Sequence, residues 1–196
     1  MPIQALIFDC DGTLADSMPM HWRAWKQVTD EYQLRFPKDR FYAMGGVPAP
    51  DILKILAEEQ GRELDYLKAA KEKEAAFARQ IPEIQEIEMI VGIAREHYGK
   101  IPMAVASGGT RRVVTETLRH LGIASLFQTV VTTEDVARQK PAPDIYLEAA
   151  RRLGVEPQNC RAYEDTDLGL QAIRAAGMEA IDVRPLLAST QGAQAR

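Results

Sequence analysis

Five short apolar runs constrain this chain more than any other feature. They are "IQALIF" (3–8), "IPMAVAS" (101–107), "FQTVVTT" (127–133), "CRAYED" (160–165) and "MEAIDV" (178–183). Strands with one wet face alternate polar and apolar residues, whereas near-continuous runs of this length need cover on both faces. That is the condition of a parallel sheet with helices packed above and below. Helical patterns lie between the later runs, at 110–122, 143–154 and 167–177, and each closes on a glycine, the usual left-handed stop. Strand and helix in alternation with short connections predict an α/β fold, a doubly wound, Rossmann-like parallel sheet.

Residues 18 to 82 break the rhythm. They hold no convincing strand and read as helices at 19–33, 38–44, 51–60 and 63–80; "DYLKAAKEKEAAFARQ" is rich in strong helix formers. An all-helical block inserted after the first strand predicts an α-helical cap (17–83) over a core made of 1–16 and 84–190. It would lie above the C-terminal ends of the strands, where ligands bind in such sheets. Residues 191–196 read as a frayed tail.

Composition excludes several classes. With 46% hydrophobic and 27% charged residues the chain has an ordinary globular balance. A net charge of −4 without a basic cluster argues against nucleic acid as partner. No apolar run approaches the ~20 residues that span a bilayer, so no membrane partner is expected. "MPIQALIFDCDG" lacks the basic start of a signal peptide, and Cys10 and Cys160 make no disulfide framework. A cytoplasmic, monomeric protein with a small-molecule partner is the expectation, and Cys10 should point into the core without a redox role.

The strands end in polar groups. The first runs into Asp9 and Asp11, the second into Ser107-Gly108-Gly109, and the fourth into Glu164-Asp165; Lys140 follows the third in "QKPAPD". In a parallel sheet these ends share one edge. Carboxylates, a hydroxyl and a lysine converging there make a poor core but a suitable place for Mg²⁺ and a phosphate, because Mg²⁺ favours hard oxygen ligands. Each piece has a plainer reading too: Asp and Gly as turn residues, Ser107 or Glu164-Asp165 as helix caps, Asp167 in a first helical turn.

"DCDGT", the strand ending in Ser107, "KPAPD" and "YEDTDLG" stand in the order of the four motifs of the haloacid dehalogenase-like hydrolases, and the resemblance runs along essentially the whole chain. Within that superfamily the chain is most similar to the β-phosphoglucomutase-like branch and its small sugar-phosphate phosphatases. The resemblance implies Asp9 as nucleophile and Asp11 as general acid, then base. It implies Ser107, Gly108 and Lys140 around the phosphate, and Mg²⁺ on Asp9, the Asp11 carbonyl and Asp165. Glu164 is placed in the outer shell or as an alternative ligand. A cis peptide before Pro141 is also implied.

Three helical-block residues match substrate-facing positions of that branch: His21, Trp25 and Lys73. Trp25 reads equally as core, and the Lys/Glu-rich run around Lys73 reads as a solvated helix face. A mutase must also grip a second phosphate, and the branch uses a lysine and an arginine for it. Here "AMGGVPAPD" (43–51) has Gly45 and Ala49 in those places. The expectation is therefore a Mg²⁺-dependent phosphatase acting on a small phosphorylated metabolite, a hexose phosphate by similarity, with a sugar phosphomutase as the alternative. A phospho-receiver module fits less well, because its phosphorylated aspartate follows a middle strand and it carries no helical insertion. The dehalogenases themselves dispense with the second acid, which Asp11 supplies here.

Overall fold

A computed structural model describes residues 2–188; the expected tail at 191–196 lies outside the described residues. Five strands form one parallel sheet: β1 (Ala5–Phe8), β4 (Met103–Ala106), β5 (Thr129–Val131), β6 (Cys160–Glu164) and β7 (Glu179–Asp182). Their order is β5-β4-β1-β6-β7. β1 is central, with Phe8 level with Val105 on one side and Tyr163 on the other. The strands are the expected runs trimmed at their ends. Every residue of β1 and β4 is buried, while β5 and β7 are only partly so, because an edge strand has a neighbour on one side alone.

Helices cover both faces. α5 (Glu88–His97) and α6 (Arg111–His120) enclose one apolar cluster, in which Phe8 stacks on Tyr163 with centroids 4.8 Å apart. α7 (Asp144–Leu153) and α8 (Asp167–Ala175) enclose the other. The glycines after α6, α7 and α8 (Gly122, Gly154 and Gly177) all take positive φ, as stop signals should. Sequence pattern alone assigns no element between 83 and 101. α5 forms there although Ile87 at its N-cap offers no capping side chain, so its buried Ile90, Val91 and Ala94 hold it.

The segment that breaks the rhythm is helical throughout: α1 (Met18–Glu31), α2 (Lys38–Ala43), α3 (Ala49–Glu59) and α4 (Tyr66–Ala78). These helices own a separate core built on Trp25, Phe36, Phe41, Leu53 and Leu56. A feature invisible in the sequence ties the segment's two ends together. β2 (Ala15–Asp16) pairs antiparallel with β3 (Gln85–Glu86), forming a two-residue neck between the helices and the sheet. No helix among the described residues is long and apolar enough to cross a membrane.

Candidate active site

The chain leaves β1 at Asp9, whose amide donates to the Tyr163 carbonyl at 3.0 Å. It turns at once: the Cys10 carbonyl accepts from the Leu14 and Ala15 amides, and the Gly12 amide returns to Ala15. Cys10 is fully buried within the apolar cluster. Gly12 is required twice over, because its φ is +82° and a β-carbon would stand 2.2 Å from Asp165 Oδ2. The turn thereby carries Asp9 and Asp11 on alternate residues into different surroundings.

Asp9 faces carboxylates. Asp9, Glu164 and Asp165 bring oxygens within 4.8 Å of one another, from the ends of β1 and β6. Lys140, 8% exposed, places Nζ 2.7 Å from Asp9 Oδ1 and 2.7 Å from Glu164 Oε2, and 5.2 Å from the Tyr146 ring centroid. The Lys140–Pro141 peptide is cis. One cation against three carboxylates leaves two charges over. Burial, then the Glu164 charge, pushes the Asp9 carboxyl well above its usual range and Asp165 up to about 7. Burial acts on Glu164 as well, but Lys140, Tyr146 and Thr166 outweigh it and hold its carboxyl low. Lys140 is held well above its usual value, the two carboxylates overcoming burial.

Glu164 is the most heavily hydrogen-bonded carboxylate of the three. Its Oε1 accepts from the Asp165 and Thr166 amides and the Thr166 hydroxyl; its Oε2 accepts from Lys140 and, at 2.7 Å, the Tyr146 hydroxyl. Five donors exceed the roughly four acceptor sites of a carboxylate. Proximity makes Glu164 part of the acidic cluster, yet hydrogen bonding commits it to holding Lys140 and the 165–166 backbone. It lies so close to α8 that a β-carbon on Gly169 would stand 2.0 Å from its Cδ. Asp165, by contrast, receives one side-chain bond, a long one of 3.3 Å from Thr13 Oγ1. All three carboxylates lie within reach of one hard cation; Asp9 and Asp165 have the freer oxygens, Glu164 the more heavily bonded ones, and the two excess buried charges fit such an ion.

Asp11 faces the helices. Its Oδ1 accepts from Ser17 Oγ at 2.6 Å and lies 3.2 Å from His21 Nε2. His21 Nδ1 is 2.8 Å from Lys73 Nζ, and its ring stacks on Phe77 with centroids 3.7 Å apart. Lys73 has only protons to give, so Nδ1 is the acceptor and Nε2 carries the hydrogen that Asp11 accepts. Burial and then the Lys73 charge lower the His21 pKa, consistent with that neutral tautomer. Burial opposes an ionised Asp11, but His21, Ser17 and Lys73 together hold it at about 2. Lys73, lowered to about 8 by burial, thus turns inward instead of forming a solvated face. Trp25 is 4% exposed, edge-on to Phe36, and meets the site only through Lys73 Nζ, 5.4 Å from its ring. It is core.

Ser107, at the end of β4, is buried, and its Oγ accepts the Gly109 amide at 3.1 Å, which leaves its proton to donate. A β-carbon on Gly109 would lie 3.4 Å from that Oγ and 3.9 Å from Asp11 Oδ2, so this loop stands beside Asp11. At Gly108 such an atom would meet nothing within 4 Å, so the loop is open there. Asp167 is in the first turn of α8, paired with Arg184 at 2.8 Å and outside the cluster. Sequence reasoning missed Ser17 and Tyr146. A tyrosine within the apolar stripe of α7 is the signal for the latter, since a buried hydroxyl needs a partner.

A five-stranded parallel sheet with this rim and a helical segment after β1 defines a class. The chain belongs to the haloacid dehalogenase-like hydrolases, whose family model matches residues 6–183. Its relatives place it in the β-phosphoglucomutase-like branch, and it is an enzyme of the phosphatase kind. It is 39% identical to the fructose-1-phosphate phosphatase YqaB of Escherichia coli, over 92% of this chain and 96% of that one. It is 31% identical to the β-phosphoglucomutase of Bacillus subtilis, over 92% and 83%. The crystal structure of β-phosphoglucomutase from Clostridium difficile superimposes with a TM-score of 0.83 at 26% identity, covering 92% of this chain and 84% of that one.

Proposed function

We propose that this protein is a Mg²⁺-dependent phosphatase that hydrolyses a hexose phosphate through an aspartyl-phosphate on Asp9. The observation that carries the reading is the convergence of Asp9, Ser107 and Asp165, from three strand ends, with Lys140, from the loop between β5 and α7, at one rim beside Asp11. Residues 17–83 act as a cap on the core of 1–16 and 84–190, a division supported by their separate apolar cluster and the neck at 15–16 and 85–86.

In the first step an Asp9 oxygen attacks phosphorus, the bond to the sugar oxygen breaks, and Asp11 gives that oxygen a proton. In the second, Asp11 takes a proton from water, which attacks the phosphoryl group and returns Asp9. Ser107 and the Gly108 amide hold phosphate oxygens, and Lys140 balances charge on the phosphate and Asp9. Asp9 and Asp165, with the Asp11 carbonyl, would hold Mg²⁺, which supplies charge neutralisation for the transferring group. In the resting site Asp11 is ionised, the form of a base. A phosphate dianion arriving beside it opposes that ionisation, so Asp11 takes up a proton from solvent as the substrate binds and then has it to give, while the neutral His21 keeps the carboxyl oriented.

Hydrolysis is favoured over transfer to a second sugar position. A β-carbon at Gly45 would be only 3.3–3.4 Å from the Tyr42 carbonyl and Thr166, and Ala49 packs against the helical core. Neither offers a cation to hold a second phosphate. The hexose assignment is supported by similarity to the Escherichia coli fructose-1-phosphate phosphatase.

A screen of phosphate release across sugar phosphates tests the reading, run with Mg²⁺, with chelator, and with a bisphosphate activator. Release that needs Mg²⁺ and gives no isomerised product is the expected result; release from no ester under any condition would overturn it. Asp11→Asn separates the roles of the two aspartates. It should slow sugar-phosphate hydrolysis by about 10²–10⁴-fold, the range of general acid catalysis. Phosphorylation of Asp9 by acetyl phosphate, whose leaving group needs little protonation, should fall far less. Equal losses would remove the acid role.

A further inference from the structure

Lys73 has a neighbour whose contact crosses from the helical segment to the core. The Thr110 hydroxyl donates to Glu74 Oε1 at 2.6 Å, and an Arg112 guanidinium nitrogen lies 3.6 Å from the same oxygen. Thr110 is the N-cap of α6 and follows directly on the Ser107-Gly108-Gly109 loop, yet its side chain makes no capping bond to its own helix. The Arg111 amide, also in the first turn of α6, donates to Glu134 Oε1 at 3.1 Å. A helix N-terminus attracts negative charge and commonly takes phosphate. Here that end, its hydroxyl and its nearby arginine are already served by three of the chain's own carboxylates, Glu74, Glu134 and Glu116, the last 3.5 Å from Arg112.

We propose that Glu74 is a specificity-determining residue that restricts the site to substrates with a single phosphate. Its carboxylate takes up the Thr110 hydroxyl, shares Arg112 with Glu116, and presents to an incoming second phosphate the same sign of charge. The inference rests on the sugar-phosphate reading above and deepens it. α4 directs Lys73 toward His21 and Asp11, and the next residue toward Thr110, so the charge of Glu74 stands at the edge of the reacting centre. A monophosphate bound at Ser107 and Lys140 leaves Glu74 in place. A bisphosphate must either displace it or bring a dianion against it. Glu74 is one-third exposed, so the repulsion is that of a partly hydrated pair, worth about tenfold in affinity and weakened by salt.

Purified wild type, Glu74→Gln and Glu74→Lys should be compared on a hexose 1-phosphate and the matching hexose 1,6-bisphosphate. Glutamine keeps an acceptor for Thr110 and loses only the charge. The ratio of kcat/KM for bisphosphate over monophosphate should rise about tenfold in Glu74→Gln and further in Glu74→Lys, chiefly through KM. In wild type the ratio should rise with ionic strength. A ratio that stays within about twofold in both variants, or equal losses on both substrates as from a merely structural contact, would overturn the proposal. Wild type inert on every sugar phosphate would instead defeat the functional reading. Calorimetric binding of the same bisphosphate would then still decide this one, equal affinity for wild type and Glu74→Gln counting against it.

Discussion

Asp9→Asn should abolish turnover of every phosphate ester, by about four orders of magnitude or more, while leaving the protein at least as heat-stable as wild type in metal-free buffer. The two halves have one cause. An amide is a poor nucleophile, so the covalent step is lost and no nearby group replaces it. The same change removes one of three crowded carboxylates served by a single lysine. A carboxyl whose pKa is raised on folding costs stability at any pH above its unfolded value, because the fold must either protonate it or bear its charge, so replacing it by an amide relieves the fold at neutral pH. Lys140 keeps Glu164 as partner in the variant. Phosphate release together with a thermal melt checks both halves. Near-normal hydrolysis would refute the nucleophile, and a marked fall in Tm would refute the account of crowding.

Lys140→Ala should damage folding as well as activity. The ammonium is nearly inaccessible and bonded to both Asp9 and Glu164 at 2.7 Å. Removing one partner of a buried ion pair leaves charge uncompensated, at about 3–5 kcal/mol. For a chain of this size, that is a fall in Tm of roughly 6–20 °C. The deficit should shrink as pH falls, because protonation removes the charges that Lys140 no longer balances. An exposed lysine would give neither effect; an unchanged Tm would show that the pair is not closed in solution.

The doubly wound sheet is legible in the sequence because its signals are local. A run such as "ALIF" needs cover on both faces wherever it sits, and Gly122, Gly154 and Gly177 stop helices by their own backbone freedom. The helices of 18–78 are legible for the same reason, down to ends that move by only a few residues. α5 is not, since it lacks capping residues and is held by burial against the sheet. The β2–β3 neck is not either, because two residues paired across seventy positions leave no periodicity to read.

At the site, the sequence by itself determined which side chains stand at strand ends, since strand polarity places Asp9, Ser107 and Glu164 at one rim whatever else the chain does. Only the tertiary structure decided what each meets there. Glu164, expected in the outer shell or as an alternative metal ligand, accepts from Tyr146, Lys140, the Thr166 hydroxyl and two amides drawn from three segments. Lys73, on a run that reads as solvated, reaches Asp11 through His21 because α4 lies against α1. Trp25, a candidate for the substrate, closes the helical core instead. The physical reason is range. Backbone preference and burial period act over a few residues, whereas hydrogen-bond saturation and charge balance depend on groups that only the folded chain brings together.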